Sequence, residues 1–247
     1  MKLNQKLLCI SVLFFKIGLL VLFASDGSEI LKKMDEAIDY ETASISATMK
    51  IIDKKGRATT MSLISYERRE GKKSLMRFTK PARLSGTAIL TVGDNIWYYN
   101  NRTNRVRLLS KSAKKGSMMG SSFSYEDMSM NYIDDFTATL ESENKKVYIL
   151  KMIPKDKNKS YKYLLATVQK DTYIATKIEY YNKNDLKYKE LISKDIQNID
   201  GHLIALFVSM KEINSQKITN FEIEKESAQF DLELDEDMFS ERYLKRV

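Results

Sequence analysis

Beyond residue 40 the hydrophobic period becomes two and stays there almost to the C-terminus. Ile45, Ala47, Met49 and Ile51 alternate with Ser44, Ser46, Thr48 and Lys50, the spacing of a strand with one buried face. Similar runs follow at Thr59–Arg69, Ser74–Thr79, Gly86–Val92, Ile96–Tyr99 and Arg105–Leu109. After an interruption they resume at Phe136–Glu141, Val147–Ile153, Tyr161–Gln169, Ile174–Tyr181, Leu186–Ser193, His202–Glu212 and Ile218–Glu224. The connections are short turns such as Asp53-Lys54-Lys55-Gly56 and Gly93-Asp94. No helix lies between the runs to carry a parallel crossover, so an antiparallel meander is the economical topology. About ten strands in one meander curl and twist. The expected fold is mainly β, a curved sheet or open antiparallel barrel with flanking helices.

One helix precedes the strands. Ile30, Leu31, Met34, Ala37 and Ile38 recur at helical spacing between Ser28 and Asp39, and Asp26 with Glu29 reads as a capping box. This helix is available to cover the concave face of the sheet. Lys111–Asn131 breaks the strand pattern with Gly116, Gly120, a serine-rich stretch and the helix-friendly Tyr125–Met130. It reads as a loop carrying a short helix, inserted in the sheet. Asp237–Tyr243 reads as a closing helix. Two prolines and nine glycines in 247 residues offer no hinge for a second domain.

Residues 1–25 read as a signal peptide. Lys2 and Lys6 precede the apolar runs Leu7–Phe15 and Ile17–Ala24, and Ser25 leads into polar Asp26-Gly27-Ser28, which matches a charged start and an apolar core. The rival reading is an uncleaved anchor over residues 7–24, with Lys16 in its middle opposing insertion by roughly 2.5–3.5 kcal/mol. Residues 26–247 then form one domain. Its exported form lacks a cysteine, because Cys9 is the only one, so it folds without a disulfide.

The same composition limits the chemistry. One Cys and one His cannot build a Cys/His zinc site, and a triad is possible only through His202. That residue follows the turn Asp200-Gly201 and reads as the start of a buried strand. Glu126 and Asp127 are adjacent and cannot both point at one substrate from a helix, so they read as a surface helix start. No phosphate loop is present. The formal net charge is +8, unevenly placed: Arg102, Arg105, Arg107, Lys111, Lys114 and Lys115 are followed by an acidic stretch from Glu222 to Asp237. The basic strip is either a solvated face or a docking surface for a membrane or protein partner. It has no interleaved aromatics of the kind that stack nucleic-acid bases. Methionines at 49, 61, 76, 118, 119, 128, 130, 152 and 210 suit either an ordinary core or an adaptable apolar cavity.

The centre of the chain carries a more specific pattern. Phe78-Thr79-Lys80-Pro81, Gly86-Thr87-Ala88-Ile89-Leu90, Asn95-Ile96-Trp97-Tyr98-Tyr99, Arg105-Val106-Arg107 and Met119-Gly120-Ser121-Ser122-Phe123-Ser124-Tyr125-Glu126-Asp127 occur in that order. The ending Asp237-Met238-Phe239-Ser240-Glu241-Arg242-Tyr243-Leu244 completes it. Over about residues 28–246 the sequence resembles the exported outer-membrane lipoprotein-sorting proteins, relatives of the LolA/LolB carriers. It departs from them at Ser122, where Asp is usual. The resemblance implies an open barrel of roughly eleven strands closed by helices, with a cavity for acyl chains and neither a catalytic residue nor a cofactor. It implies a periplasmic protein whose partners are lipoprotein or lipid acyl chains, an inner-membrane transporter and an outer-membrane acceptor, not nucleic acid. The candidate cavity residues are Met49, Ile51, Met61, Leu63, Met76, Phe78, Ile89, Trp97, Met119, Phe123 and Tyr125. Two readings of Lys111–Met130 stay open. It is a cover that moves aside for an acyl chain, or a plug whose Met119, Phe123 and Tyr125 complete the core.

Overall fold

The structure is a computed structural model that describes residues 26–246; the signal-peptide and anchor readings fall outside them. Helix α1 spans Gly27–Glu36, and the Asp26 side chain accepts the Ser28 N–H at 3.0 Å. The reciprocal half of the capping box does not form, because the Glu29 carboxylate turns forward to Lys33 at 3.2 Å. Ile30, Leu31 and Met34 are buried on one face of the helix. The helix ends before Asp39, where the chain turns into the sheet.

The strands are β1 Thr42–Ile52, β2 Ala58–Arg68, β3 Lys73–Lys80, β4 Ala88–Val92, β5 Asn95–Asn100, β6 Arg105–Leu108, β7 Phe136–Glu143 and β8 Val147–Pro154. They continue as β9 Tyr163–Gln169, β10 Ala175–Tyr181, β11 Lys187–Ile199, β12 His202–Glu212, β13 Ile218–Ile223 and β14 Gln229–Phe230. Every pairing is antiparallel. The hydrogen-bonded order is β6-β5-β4-β3-β2-β1-β13-β12-β11-β10-β9-β8-β7, with β14 adding a short rung to β1. Among the described residues there are fourteen strands rather than about ten, since each of the thirteen alternating runs pairs as a separate strand, the four-residue β6 included, and the two-residue β14 adds to them. The contact between β1 and β13 joins the first half of the meander to the second. Edge strands β6 and β7 do not pair with each other, so the sheet curls without closing.

Register places the alternating apolar residues on a common face. Met49 stands opposite both Met61 and Phe221, Leu63 opposite Phe78, and Met76 opposite Ile89. This concave face, with α1 and the segment between β6 and β7, holds the main core. A second core lies on the convex face, where Leu75, Leu90 and Tyr99 are covered by Phe239 and Leu244 of the C-terminal tail. The tail forms two 3₁₀ turns, Glu236–Phe239 and Tyr243–Lys245, in place of the expected helix, because Ser240 between them is extended. Arg68 and Lys73 hold Glu236, and Arg77 donates to the carbonyls of Tyr243 and Leu244 at 3.3 and 3.4 Å. Glu236 thus has its partners on the strands beneath, whereas Asp237 pairs with Arg242 and Arg246 of the tail itself.

Candidate functional site

Residues 109–135 connect β6 to β7, and those are the two free edges of the sheet. The insertion therefore crosses the opening of the barrel. It contains α2 (Lys111–Lys114), a 3₁₀ turn at Met118–Gly120, α3 (Tyr125–Met128) and α4 (Tyr132–Asp135), more than the one short helix expected. Ser110, Ser124 and Asn131 cap the three helices in turn, which is why a serine- and asparagine-rich stretch breaks into single helical turns. Gly120 is left-handed at φ +81° and so is Met119 at +52°, whereas Gly116 is not. The reversal therefore sits at Met119-Gly120 and turns Met118 and Phe123 inward, both buried. The Phe123 ring meets Phe221 edge-on, with centroids 5.2 Å apart.

The way this segment is held distinguishes it from the rest of the molecule. Among the described residues, every backbone–backbone hydrogen bond of 110–131 stays within the insertion itself; only its ends bond outward, Leu109 to Ile96, Tyr132 to Phe136 and Asp135 to Lys155. Side chains make the other ties. The Ser122 N–H donates to Thr219 Oγ1 at 2.8 Å, and Thr219 Oγ1 lies 3.3 Å from Ser122 Oγ. Lys217 donates to the Ser121 carbonyl, and Glu126 accepts the Ser160 N–H at 3.2 Å. Lys189 on β11 pairs with Asp127 at 2.9 Å, with side chains 13% and 2% exposed. Lys72, on the β2–β3 turn, pairs with Asp134.

Glu126 and Asp127 are thus not a surface helix start. Both carboxylates are held from different places, Glu126 by the Ser160 N–H in the β8–β9 connection and Asp127 by Lys189 on β11. Asp127 completes the capping box of α3 through the Ser124 N–H at 2.7 Å while holding Lys189. Its charge reaches a group of buried tyrosines. The phenols of Tyr161, Tyr180 and Tyr188 are pushed up by burial first and by Asp127 next. His202 opens β12 as expected, with Nδ1 2.9 Å from Asp39 and Nε2 3.3 Å from Asp231. No serine lies among its bonded partners. Among the described residues no group of His, Cys, Asp or Glu could hold a metal ion, and no helix is long and apolar enough to cross a membrane.

Of the sequence-derived cavity residues, Met49, Met61, Leu63, Met76, Phe78, Ile89 and Phe123 are buried together on the concave face. Ile51, Met119 and Tyr125 pack against them half-buried. Trp97 does not join them: register puts it opposite Leu90 on the convex face, beside the tail. The far wall, with Phe136, Tyr161, Tyr180 and Phe221, is missing from the sequence-derived set, although the same alternation runs through those strands. At one end of the barrel a 470 Å³ pocket opens among Ile51, Met61, Leu84, Tyr98 and Met119, with Arg83 and Arg102 in its lining.

The basic strip divides. Lys111, Lys114 and Lys115 line a separate 280 Å³ cleft beside Asp134, Asp135 and Asp156. There Lys114 reaches the Asp94 carbonyl and Lys111 lies near Asp156. Arg102 faces the apolar pocket instead. Arg105 and Arg107 stand across the ladder from Asn100 and Tyr98, which line the same pocket.

The comparisons with known proteins agree with this geometry. Among solved structures the chain is similar to a domain described as an outer membrane lipoprotein-sorting protein from Vibrio parahaemolyticus. That likeness has 26% identity and a TM-score of 0.81, over 89% of this chain and 98% of that one. A DUF1329 family protein from Desulfovibrio piger matches at 26% identity and TM-score 0.82, over 88% and 97%. A LolA superfamily protein from Nitrosomonas europaea shares the fold at 18% identity and TM-score 0.74, over 89% and 100%. No curated protein matches the sequence. A family model described as "Uncharacterized protein" covers residues 70–246. The chain belongs to the family which that model defines, and its fold is the LolA-like open barrel of the lipoprotein-sorting domains.

Proposed function

We propose that the protein is a periplasmic carrier that binds acyl chains of lipoproteins or lipids on its concave face and helps sort them to the outer membrane. The observation that carries this reading is the attachment of the insertion. Residues 110–131 lie over an apolar concave face without a backbone hydrogen bond to the strands. Lifting the segment breaks side-chain ties but no rung of the sheet, whereas a strand could not leave so cheaply. The likeness to the lipoprotein-sorting domain and the methionines lining the face support an adaptable apolar site. A carrier works by differential affinity for donor, cargo and acceptor, so it needs no reactive group. In this reading the donor is an inner-membrane transporter and the acceptor lies in the outer membrane.

Mass spectrometry of lipid extracted from the purified protein, with titration of a fluorescent acyl probe, tests the reading. Co-purified acylated material, or saturable probe binding in the micromolar range (roughly −8 kcal/mol), is expected. Folded protein that shows neither, with and without donor membranes, contradicts it. Intact mass and fractionation of the same preparation separate a freely diffusing carrier from the alternative, an envelope interaction module tethered by residues 7–24 that works with a transporter without shuttling.

A further inference from the structure

The pocket at the β5–β6 end has an apolar floor and a basic mouth, which together specify a head group. Ile51, Met61, Leu84 and Met119 supply the floor, and Arg83 and Arg102 are part of the lining. The ladder adds two more cations. Arg105 is opposite Asn100 and Arg107 opposite Tyr98, and directly opposed residues share a face of the sheet. Arg107 also lies near the half-buried Tyr125 phenol, whose proton its charge helps to release against the pull of burial. All four arginines are exposed, and no Asp or Glu lines the pocket.

This arrangement is unusual for the molecule. Among the described residues, Arg57, Arg68, Arg69, Arg242 and Arg246 each hold a carboxylate; the four at the pocket hold none. Four like charges converging on one opening repel one another, and a bound anion relieves that repulsion. Guanidinium forks match phosphate and carboxylate oxygens in paired hydrogen bonds. The 470 Å³ volume falls within the range of about 300–1,000 Å³ typical of small-ligand sites.

We propose that this pocket selects amphiphiles with an anionic head group, phosphate or carboxylate. The head group sits among Arg83, Arg102, Arg105 and Arg107, and the chain runs inward over Met61 and Met119. The inference rests on the carrier reading and narrows its cargo to acidic lipids.

The test is displacement of a neutral fluorescent acyl probe from the full chain by four amphiphiles of equal chain length. Palmitate and palmitoyl lysophosphatidic acid carry the two anionic head groups. Palmitoyl lysophosphatidylcholine and monopalmitoylglycerol are the zwitterionic and neutral controls. The anionic pair should displace at concentrations about tenfold lower than the controls, and whichever of the two is stronger identifies the head group. The advantage should shrink in about 0.5 M salt. In Arg83→Gln/Arg105→Gln it should fall to about threefold or less, measured against that variant's own probe affinity, and Arg83→Lys/Arg105→Lys should restore part of it. Equal displacement by all four amphiphiles, or a preference that survives the Gln variant, overturns the proposal and leaves the carrier reading standing. Absence of any probe binding overturns both.

Discussion

Asp127 shows how much one side chain can organise. Its carboxylate caps the first turn of α3, anchors the insertion to β11 through Lys189, and acts on the buried phenols of Tyr161 and Tyr180 and the half-buried Tyr188. With both partners largely buried, removing one leaves the other charge uncompensated. Asp127→Asn and Lys189→Met should each lower the unfolding free energy by roughly 3–5 kcal/mol, and the double substitution by less than their sum. Urea denaturation of the four proteins measures this; strictly additive small losses would mean the pair holds nothing. The tyrosines make a second prediction. A phenol whose pKa is raised by folding contributes stability that is present below the unfolded value near 10 and fades as pH climbs beyond it. Alkaline titration should therefore release part of the tyrosinate absorbance only together with loss of sheet signal, beginning above about pH 10. The sequence showed the apolar stripe through Met49, Met61 and Phe78 because neighbouring residues alternate. It hid the burial of Asp127, because Lys189 lies 62 residues away in the chain and only the curl of the sheet brings them together.

At the scale of elements, α1 and the tail are the pieces held from outside the sheet. Gly27 sits against β7 so closely that a Cβ would stand 2.6 Å from Thr139 Cα and 2.7 Å from the Ala138 carbonyl. Gly27→Ala must push the helix off the strand, at a cost of about 1–3 kcal/mol. Amide exchange should quicken at Ile30–Met34 and not in β8 and β9; unchanged helix exchange would falsify this packing argument. The tail responds to acid. Glu236 is held below the usual carboxylate range chiefly by its hydrogen bond to Lys73, which with the charges of Lys73 and Arg68 outweighs burial and the nearby Asp235 charge. A lowered folded pKa means that its contribution is present above the ordinary value near 4.3 and is lost as pH falls through the folded one. Trp97, the sole tryptophan, packs beside the tail and should report its release as a red shift below about pH 4. Emission that moves only with the far-ultraviolet sheet signal would mean the tail has no separate transition. Alternation and turn residues made most strands legible in the sequence. The two-residue β14 was not, since it depends on a partner distant in sequence, and the second half of β11 was not, because left-handed Asp195 interrupts its alternation although it pairs with the adjacent β12.

For the molecule as a whole, the decisive relation is that the segment joining β6 to β7 joins the two unpaired edges of one sheet. Sequence order alone marks this segment as an interruption; strand order makes it a bridge over the opening. The fold class follows from periodicity, and the central motifs resemble the family to whose structures this fold is similar. The pairing of β1 with β13, which sets where the opening falls, is a long-range contact that no local pattern announces. The question left at this scale is whether the insertion moves. Phe123→Ala separates the alternatives. A plug loses roughly 3–5 kcal/mol of stability with unchanged binding per folded molecule, whereas a cover changes probe affinity more than stability.

A reversible lock answers more directly. Ser122 and Thr219 side-chain oxygens lie 3.3 Å apart, close enough to try a cross-link between cysteines there. In a Cys9→Ser background, Ser122→Cys with Thr219→Cys can be oxidised to pin the insertion to β13 and reduced to free it, in one and the same folded protein. If the insertion is the cover of an acyl site, the oxidised form should lose binding of the fluorescent acyl probe and reduction should restore it. Equal probe affinity in the locked and released forms would contradict the carrier account at its centre.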